Sequence, residues 1–186
     1  MRTLCQHIFD LAQNSINAHA ENIHIIVDED IAKNIVKIVI EDDGVGIKPE
    51  ALERVKHAFF TTRSRKKRGV GLGLALMDAT CKRCGGKLLI ESQYRYGTTI
   101  TATMEYDNID RPPLGDLADL YTSLLLLSSE KKVIWTLEHK INEKGYELKN
   151  KIIREQLNII SFSYKGIRKD IYKYILEKEK EITNNS

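Results

Sequence analysis

The first twenty residues alternate apolar and polar side chains with the period of an α-helix. One stripe is apolar and consists of Leu4, Ile8, Leu11, Ala12 and Ile16. The opposite stripe is polar and includes Asp10, Asn14 and Asn17. The pattern therefore predicts an amphipathic helix over residues 3–20, with one face in the core and one face free for chemistry.

Runs of β-branched residues after this helix predict strands. Residues 23–27 and 35–40 are separated by a short polar stretch, which favours a hairpin. A helix is predicted over residues 71–84, and residues 87–92 and 98–106 then predict a second pair of strands. This order is typical of an α/β sandwich, with helices on one face of a mixed, largely antiparallel sheet.

The stretch between the two pairs of strands has a different character. Pro49 is well placed to open a short helix through about residue 56. Residues 59–68 show little periodicity and many polar or charged side chains, so we expect a loop there.

A boundary is predicted near residues 107–115, where Pro-Pro-Leu-Gly interrupts both kinds of periodicity. We divide the chain into a main domain (1–107), a linker and helix (108–127) and a small α+β C-terminal extension (128–186). Within the extension we expect a hairpin of strands followed by two helices. Its apolar residues are numerous enough for a small core of its own or for docking on the main domain.

Composition and charge exclude several classes of protein. The 186 residues are 42% hydrophobic and 30% charged, and no apolar run is long enough to span a bilayer. The N-terminus lacks the apolar core of a signal peptide, and three cysteines favour a reducing compartment, so we expect a cytoplasmic protein without a membrane partner. A net charge of +3, with acidic residues interleaved among the basic ones, makes nucleic acid an unlikely partner.

The polar face of the first helix offers candidate chemistry. Asp10 and Asn14 are four residues apart, so their side chains lie one turn apart on the same face. The Asn14 oxygen suits Mg²⁺, which prefers oxygen ligands, and Asp10 could orient or deprotonate a water. The alternative is an ordinary solvated face of an amphipathic helix.

Two glycine-containing segments suggest a nucleotide. Asp42 ends a strand and precedes a turn with two glycines, where a carboxylate suits the exocyclic amine of adenine. The run Gly69–Gly73 opens a predicted helix, whose N–H groups and dipole favour phosphate, and five of the six residues 63–68 before it are basic. The run is neither a Walker A loop nor a dinucleotide fingerprint, because the residues and spacings that define those motifs are missing.

Together these segments resemble, in order, the motifs of the GHKL ATPase superfamily, which includes histidine kinases, DNA gyrase, the heat-shock chaperone ATPase and the mismatch-repair ATPases. FDLAQNSINAHA resembles the N box, EDDGVGI the first glycine box, and FFTTRSRKKRGVGLGLALM the F box, lid and second glycine box. GTTITATM resembles the closing strand. The resemblance covers about residues 5–105, implies the Bergerat-type ATP-binding fold, and points to the histidine-kinase branch through its paired phenylalanines and threonines.

The resemblance implies a role for each matching residue. Asn14 would be the Mg²⁺ ligand, Asp42 the adenine anchor and Thr98 the threonine beside adenine, with Thr99 a close second. Asp10 stands where hydrolytic members carry a glutamate base, and its shorter side chain predicts slow hydrolysis. The implied ATP-binding residues are Asn14, Asn17, Asp42, Gly44, Gly46, Ile47, Phe60, Thr61, Thr62, Arg63, Gly69, Val70, Gly71, Leu72, Gly73 and Thr98.

No helix with a phosphoacceptor histidine precedes the N box in this sequence. We therefore expect a stand-alone Mg-ATP-binding protein that phosphorylates a partner protein. The alternative is a slow ATPase, or an ATP-controlled protein-binding module without kinase activity. The extension is expected to bind a partner or a second copy of the chain.

Two further sets of residues are expected to be structural. Cys81 and Cys84 could form half of a zinc site or a redox pair, but packing is the favoured interpretation because no second pair lies nearby. His24, His57 and His139 are interpreted as ordinary surface or half-buried residues.

Overall fold

One six-stranded sheet organises the part of the chain that the computed structural model describes, residues 2–53, 72–127, 133–158 and 166–183. The helices are α1 (Leu4–Asn17), α2 (Leu72–Arg83), α3 (Leu117–Leu127), α4 (Asn150–Gln156) and α5 (Ile167–Thr183). The strands are β1 (Asn22–Asp30), β2 (Ile35–Asp42), β3 (Lys87–Gln93), β4 (Gly97–Glu105), β5 (Ile134–Ile141) and β6 (Lys144–Lys149). Residues 49–53 are also helical, at the start of the short helix predicted there.

The sheet is mixed, with the strand order β3-β4-β2-β1-β5-β6. Every neighbouring pair is antiparallel except β1 and β5, which run parallel. A single row of apolar side chains crosses all six strands on one face, and each member is buried: Ile90, Ile100, Ile40, Ile25, Leu137 and Leu148. Because side chains alternate between faces, this register gives the sheet one buried face.

The helices cover that buried face. Contacts join α1 to β2, α2 to β3 and β4, and α5 to β5 and β6, while α1 also packs on α2 and α3. The apolar stripe of α1 predicted from the sequence is buried in this layer. The predicted α/β sandwich with a largely antiparallel sheet is therefore confirmed.

The extension continues the same sheet and shares its core. Strand β5 pairs along its whole length with β1, so Ile25 lies opposite Leu137. Trp135 and Ile171 are fully buried in the same apolar cluster as Ile8. Of the two alternatives for the apolar residues of the extension, docking on the main domain is the one that the structure shows. The boundary near residues 107–115 is thus a connection within one core.

No helix in the described ranges combines the length and the apolar character needed to cross a membrane.

Candidate functional site

Asp42 lies at the end of β2 with its carboxylate enclosed and hydrogen-bonded on both oxygens. Its side chain is on the buried face of the sheet, and the residue is 8% exposed. The Ser15 hydroxyl on α1 donates to Oδ2 at 2.6 Å, and the Gly44 N–H donates to Oδ1 at 3.0 Å. These two donors fix the carboxylate, and each oxygen keeps a further lone pair that can accept a ligand donor.

The turn after β2 is pressed against the end of α1 and against the β3–β4 turn. A Cβ atom on Gly44 would stand 2.7 Å from the Ala18 carbonyl oxygen, which in turn accepts the Val45 N–H at 2.9 Å. Gly46 has a φ of +63°, and a Cβ there would lie 2.1 Å from the Gln93 carbonyl oxygen. Both glycines are therefore required by the fold, as well as being suited to close approach of a ligand.

Asp43, next to Asp42, stabilises this turn. Its Oδ1 accepts the N–H groups of Glu21 and Asn22, each at 2.8 Å, and its Oδ2 accepts the Asn22 amide at 2.6 Å. Burial alone would raise the pKa of Asp43, but the hydrogen bonds from Asn22 and Glu21 outweigh it and lower that pKa. The Asp43 carboxylate is thus used in hydrogen bonds within the protein, whereas the Asp42 carboxylate lies at the candidate site.

Thr98 lies directly opposite Asp42 in the β2–β4 register, on the same face of the sheet. Its hydroxyl is 2.9 Å from the Ser92 hydroxyl, and Ser92 Oγ also accepts the Ile47 N–H at 2.8 Å. Thr99 pairs with Glu41 and so belongs to the other face. A surface cavity of about 360 Å³ at this end of the sheet is lined by Asp42, Ser92 and Thr98 and also by Glu41, Glu91 and Thr99 from the opposite face, so it wraps around the sheet end and is not an enclosed pocket beside α1.

The polar face of α1 approaches the start of α2. A Cβ atom on Gly73 would stand 3.3 Å from the Asp10 Cβ. The Asp10 carboxylate forms an ion pair with the Arg2 guanidinium. Asn14 and Asn17 are exposed, and within the described ranges no side chain bonds to the Asn14 carboxamide. The Asn14 carboxamide offers an oxygen of the donor type that Mg²⁺ prefers.

The predicted residues divide into those that the structure brings together and those that it does not describe. One group surrounds the end of β2: Asp42, Gly44, Gly46, Ile47 and Thr98. A second group lies along α1 and the first turn of α2: Asp10, Asn14, Asn17 and Gly73. The Ser15–Asp42 hydrogen bond joins the two groups.

Part of the predicted site lies outside the described residues, namely Phe60, Thr61, Thr62, Arg63, Gly69, Val70 and Gly71. Leu72 begins α2, and its side chain is likewise not described. The same applies to the predicted loop over residues 59–68.

Ser15 and Ser92 were absent from the sequence-based site. Ser15 is 2% exposed and lies within the apolar stripe of α1. A hydroxyl in such a stripe must find a partner, because an unsatisfied buried polar group is costly. That exception to the apolar pattern is the signal that could have identified Ser15. Nothing comparable marks Ser92, whose role depends on the register between β3 and β4.

His139 corrects the expectation of a surface or half-buried histidine. It is 1% exposed and lies between two carboxylates, with Nε2 at 3.1 Å from Glu29 and Nδ1 at 3.0 Å from Glu179. The Tyr146 hydroxyl also donates to Glu179. Burial would lower the pKa of His139, but the hydrogen bonds to Glu179 and Glu29 outweigh it and raise that pKa to about 9. This cluster joins β1, β5, β6 and α5.

Both cysteines of the Cys81–Cys84 pair are fully buried. Burial raises the pKa of the Cys81 thiol to about 12 and also raises that of Cys84, so neither is activated as a thiolate. In the part of the chain that the structure describes, no three His, Cys, Asp or Glu side chains are grouped to hold a metal ion. The geometry agrees with packing as the role of the pair.

A sequence profile of the family described as "Histidine kinase-, DNA gyrase B-, and HSP90-like ATPase" matches residues 2–108. Histidine protein kinase DivJ of Caulobacter vibrioides is 32% identical over 105 residues, which cover 55% of this chain and 18% of DivJ. Sensor histidine kinase WalK of Bacillus subtilis is 30% identical over 108 residues, again 55% of this chain and 18% of the relative.

The matched region is thus less than a fifth of the length of either relative. Among solved structures, the Aquifex aeolicus MutL ATPase domain complexed with ADP has 17% identity and a TM-score of 0.48, over 91% of this chain and 68% of that one.

Proposed function

Because the chain belongs to the family of histidine kinase-, DNA gyrase B- and HSP90-like ATPases, we propose that it binds Mg-ATP between α1, the start of α2 and the end of β2. We further propose that it transfers the γ-phosphoryl group to a partner protein. The observation that carries the proposal is the enclosed Asp42 carboxylate, fixed by Ser15 and Gly44 and directly opposite Thr98.

At the adenine end, Asp42 supplies the acceptor that the exocyclic amine of the base needs. A buried carboxylate held by two protein donors is preorganised, so binding costs little side-chain entropy. Thr98, held through Ser92 to the Ile47 backbone, supplies a hydroxyl on the same face. This combination favours a base that carries an amino group over one that carries a carbonyl at the same position.

At the phosphate end, the N-terminal turn of α2 would supply backbone N–H groups and the positive end of the helix dipole. The Asn14 oxygen and phosphate oxygens would hold Mg²⁺, which neutralises charge on the phosphates when bound. Residues 63–68, five of them basic, precede α2 in the sequence and would add positive charge.

Asp10 lies beside Gly73, so its carboxylate is close to the proposed phosphate end of the site. In transfer to a partner, the acceptor atom bonds to the γ-phosphorus, the bond to the β–γ bridging oxygen breaks, and ADP leaves. The proton of the acceptor passes to Asp10. With water as the acceptor the same steps give phosphate, so the presence of Asp10 favours slow ATP hydrolysis as the second candidate function. An ATP-controlled binding module would use the same site without transfer.

The test is to measure ATP affinity by calorimetry and then incubate the protein with γ-labelled ATP and candidate partner proteins. We expect micromolar or tighter binding that depends on Asp42, with label on a partner. Release of labelled phosphate without a labelled protein would favour the ATPase. Absence of ATP binding in the presence of Mg²⁺ would refute the proposal.

A further inference from the structure

An arginine near the start of the chain is bonded to the carboxylate that the proposed function uses. Arg2 lies just before Thr3, the residue that caps α1, and its guanidinium reaches along the helix to Asp10. The two side chains are 40% and 34% exposed. Surface ion pairs of this kind contribute little to stability. The Arg2–Asp10 ion pair is therefore expected to contribute little to the stability of the fold.

The location of the pair is more informative. Asp10 lies against Gly73, at the end of the glycine run where the phosphates of ATP are proposed to bind. An unpaired carboxylate there would repel the nucleotide, and it would repel ATP more than ADP because the additional phosphate brings more negative charge.

Two other titratable groups on the same side of α1 do not neutralise the Asp10 carboxylate. His7 is 3% exposed; burial, together with the nearby Arg2, lowers its pKa, which keeps its imidazole neutral. Arg2 and Asp10 line a surface groove along α1 and α3, and Asp119, which lines it too, is paired with Arg168 at 2.5 Å. Within the described ranges, Arg2 is the cation bonded to Asp10.

We infer that Arg2 is a positioning residue that acts through Asp10: it neutralises and orients this carboxylate so that the triphosphate can bind beside it. The inference rests on the proposed function. It assigns to Arg2 a contribution to the preference for ATP over ADP, without direct contact between Arg2 and the nucleotide.

The test is a double-mutant cycle on the full chain with Mg-ATP and Mg-ADP affinities as readouts. Arg2→Ala should weaken ATP binding about five- to tenfold and ADP binding at most about twofold. Asp10→Asn should not weaken ATP binding. In the Asp10→Asn background Arg2→Ala should have no further effect, because the charge that it balances is gone. Arg2→Lys should restore most of the affinity.

Arg168→Ala is the matched control, since it removes the same charge from an ion pair between α5 and α3 whose acidic member, Asp119, lines the same groove. Melting temperatures of all variants report on folding. An equal loss from Arg2→Ala in the Asp10→Asn background would mean direct contact with phosphate and would overturn the inference. So would an equal loss in Arg168→Ala, or equal losses for ATP and ADP. A wild-type protein that binds no ATP refutes the proposed function, and with it this inference.

Discussion

The hydroxyl of Ser15 on α1 donates a 2.6 Å hydrogen bond to the carboxylate of Asp42 at the end of β2. This bond joins the two segments that carry the proposed phosphate and adenine contacts. The Ser15 side chain therefore fixes the position of α1, which carries Asn14, relative to Asp42.

Replacement Asp42→Asn should raise the dissociation constant for ATP about 10- to 100-fold, because a charged hydrogen bond to the base is worth about 1.5–3 kcal/mol. The carbonyl oxygen of asparagine can still accept from Ser15, but its amide then faces the Gly44 N–H, so the melting temperature of the variant is measured alongside its affinity. Calorimetric titration with Mg-ATP is the measurement. Asp107→Asn is the control, since Asp107 is exposed beyond the other end of β4. An unchanged dissociation constant for Asp42→Asn would exclude Asp42 as the anchor.

Replacement Ser15→Ala should lower the free energy of unfolding by about 1–3 kcal/mol, since a buried carboxylate loses a donor. Alanine fits the apolar stripe of α1, so the change tests the hydrogen bond rather than the packing. Urea unfolding provides the stability. Loss of ATP affinity should be smaller than in Asp42→Asn, because the acceptor itself remains. A variant as stable as the wild type would contradict this account of the contact.

Raising the pH should weaken the fold through His139. Its pKa of about 9 in the folded protein exceeds the ordinary value of 6.5, so its contribution is fully present below pH 6.5. Between pH 6.5 and 9 the unfolded imidazole has lost its proton while the folded one keeps it, so the contribution declines, and above pH 9 it is lost. The contribution is on the order of 3 kcal/mol.

Urea unfolding from pH 6 to pH 10 measures this decline, and His139→Gln should flatten it. His24→Gln is the control, because His24 pairs with Glu138 at a half-exposed position. The same decline in His139→Gln as in the wild type would place its origin elsewhere.

Replacement Leu137→Ala should destabilise the whole described core rather than the extension alone. Leu137 is fully buried opposite Ile25, and such truncations cost about 2–5 kcal/mol. Trp135, the single tryptophan, reports on β5 by fluorescence, while circular dichroism reports on all elements. The two unfolding curves should coincide. Ile134→Ala, at a position 54% exposed, is the control, and separate transitions would show an independently folding extension.

The period of apolar residues predicted most helices and strands, because the side chains within each segment determine which of its faces is buried. Helix α1 and strands β1 to β4 follow local apolar patterns. The family was predicted from ordered motifs, and the profile match confirms it.

The remaining features depend on contacts between distant segments. The parallel pairing of β5 with β1 brings Leu137 to Ile25, and no local pattern encodes a partner so far away. The residues around His139 predict only a strand with one polar face. Its enclosure by Glu29 of β1 and Glu179 of α5 depends on contacts with distant segments. In the candidate site, Asp42 was identifiable from its turn, whereas Ser92 depended on register.

The parallel pairing also bears on how the chain is made. During translation β1 leaves the ribosome before β5, with β2 as its first neighbour, and its other edge stays unpaired until β5 has been synthesised. An open strand edge is a template for unwanted pairing with another chain. A chain stalled or cut before Ile134 would therefore carry the complete set of family motifs and still expose that edge, so aggregation is the expected fate of such fragments.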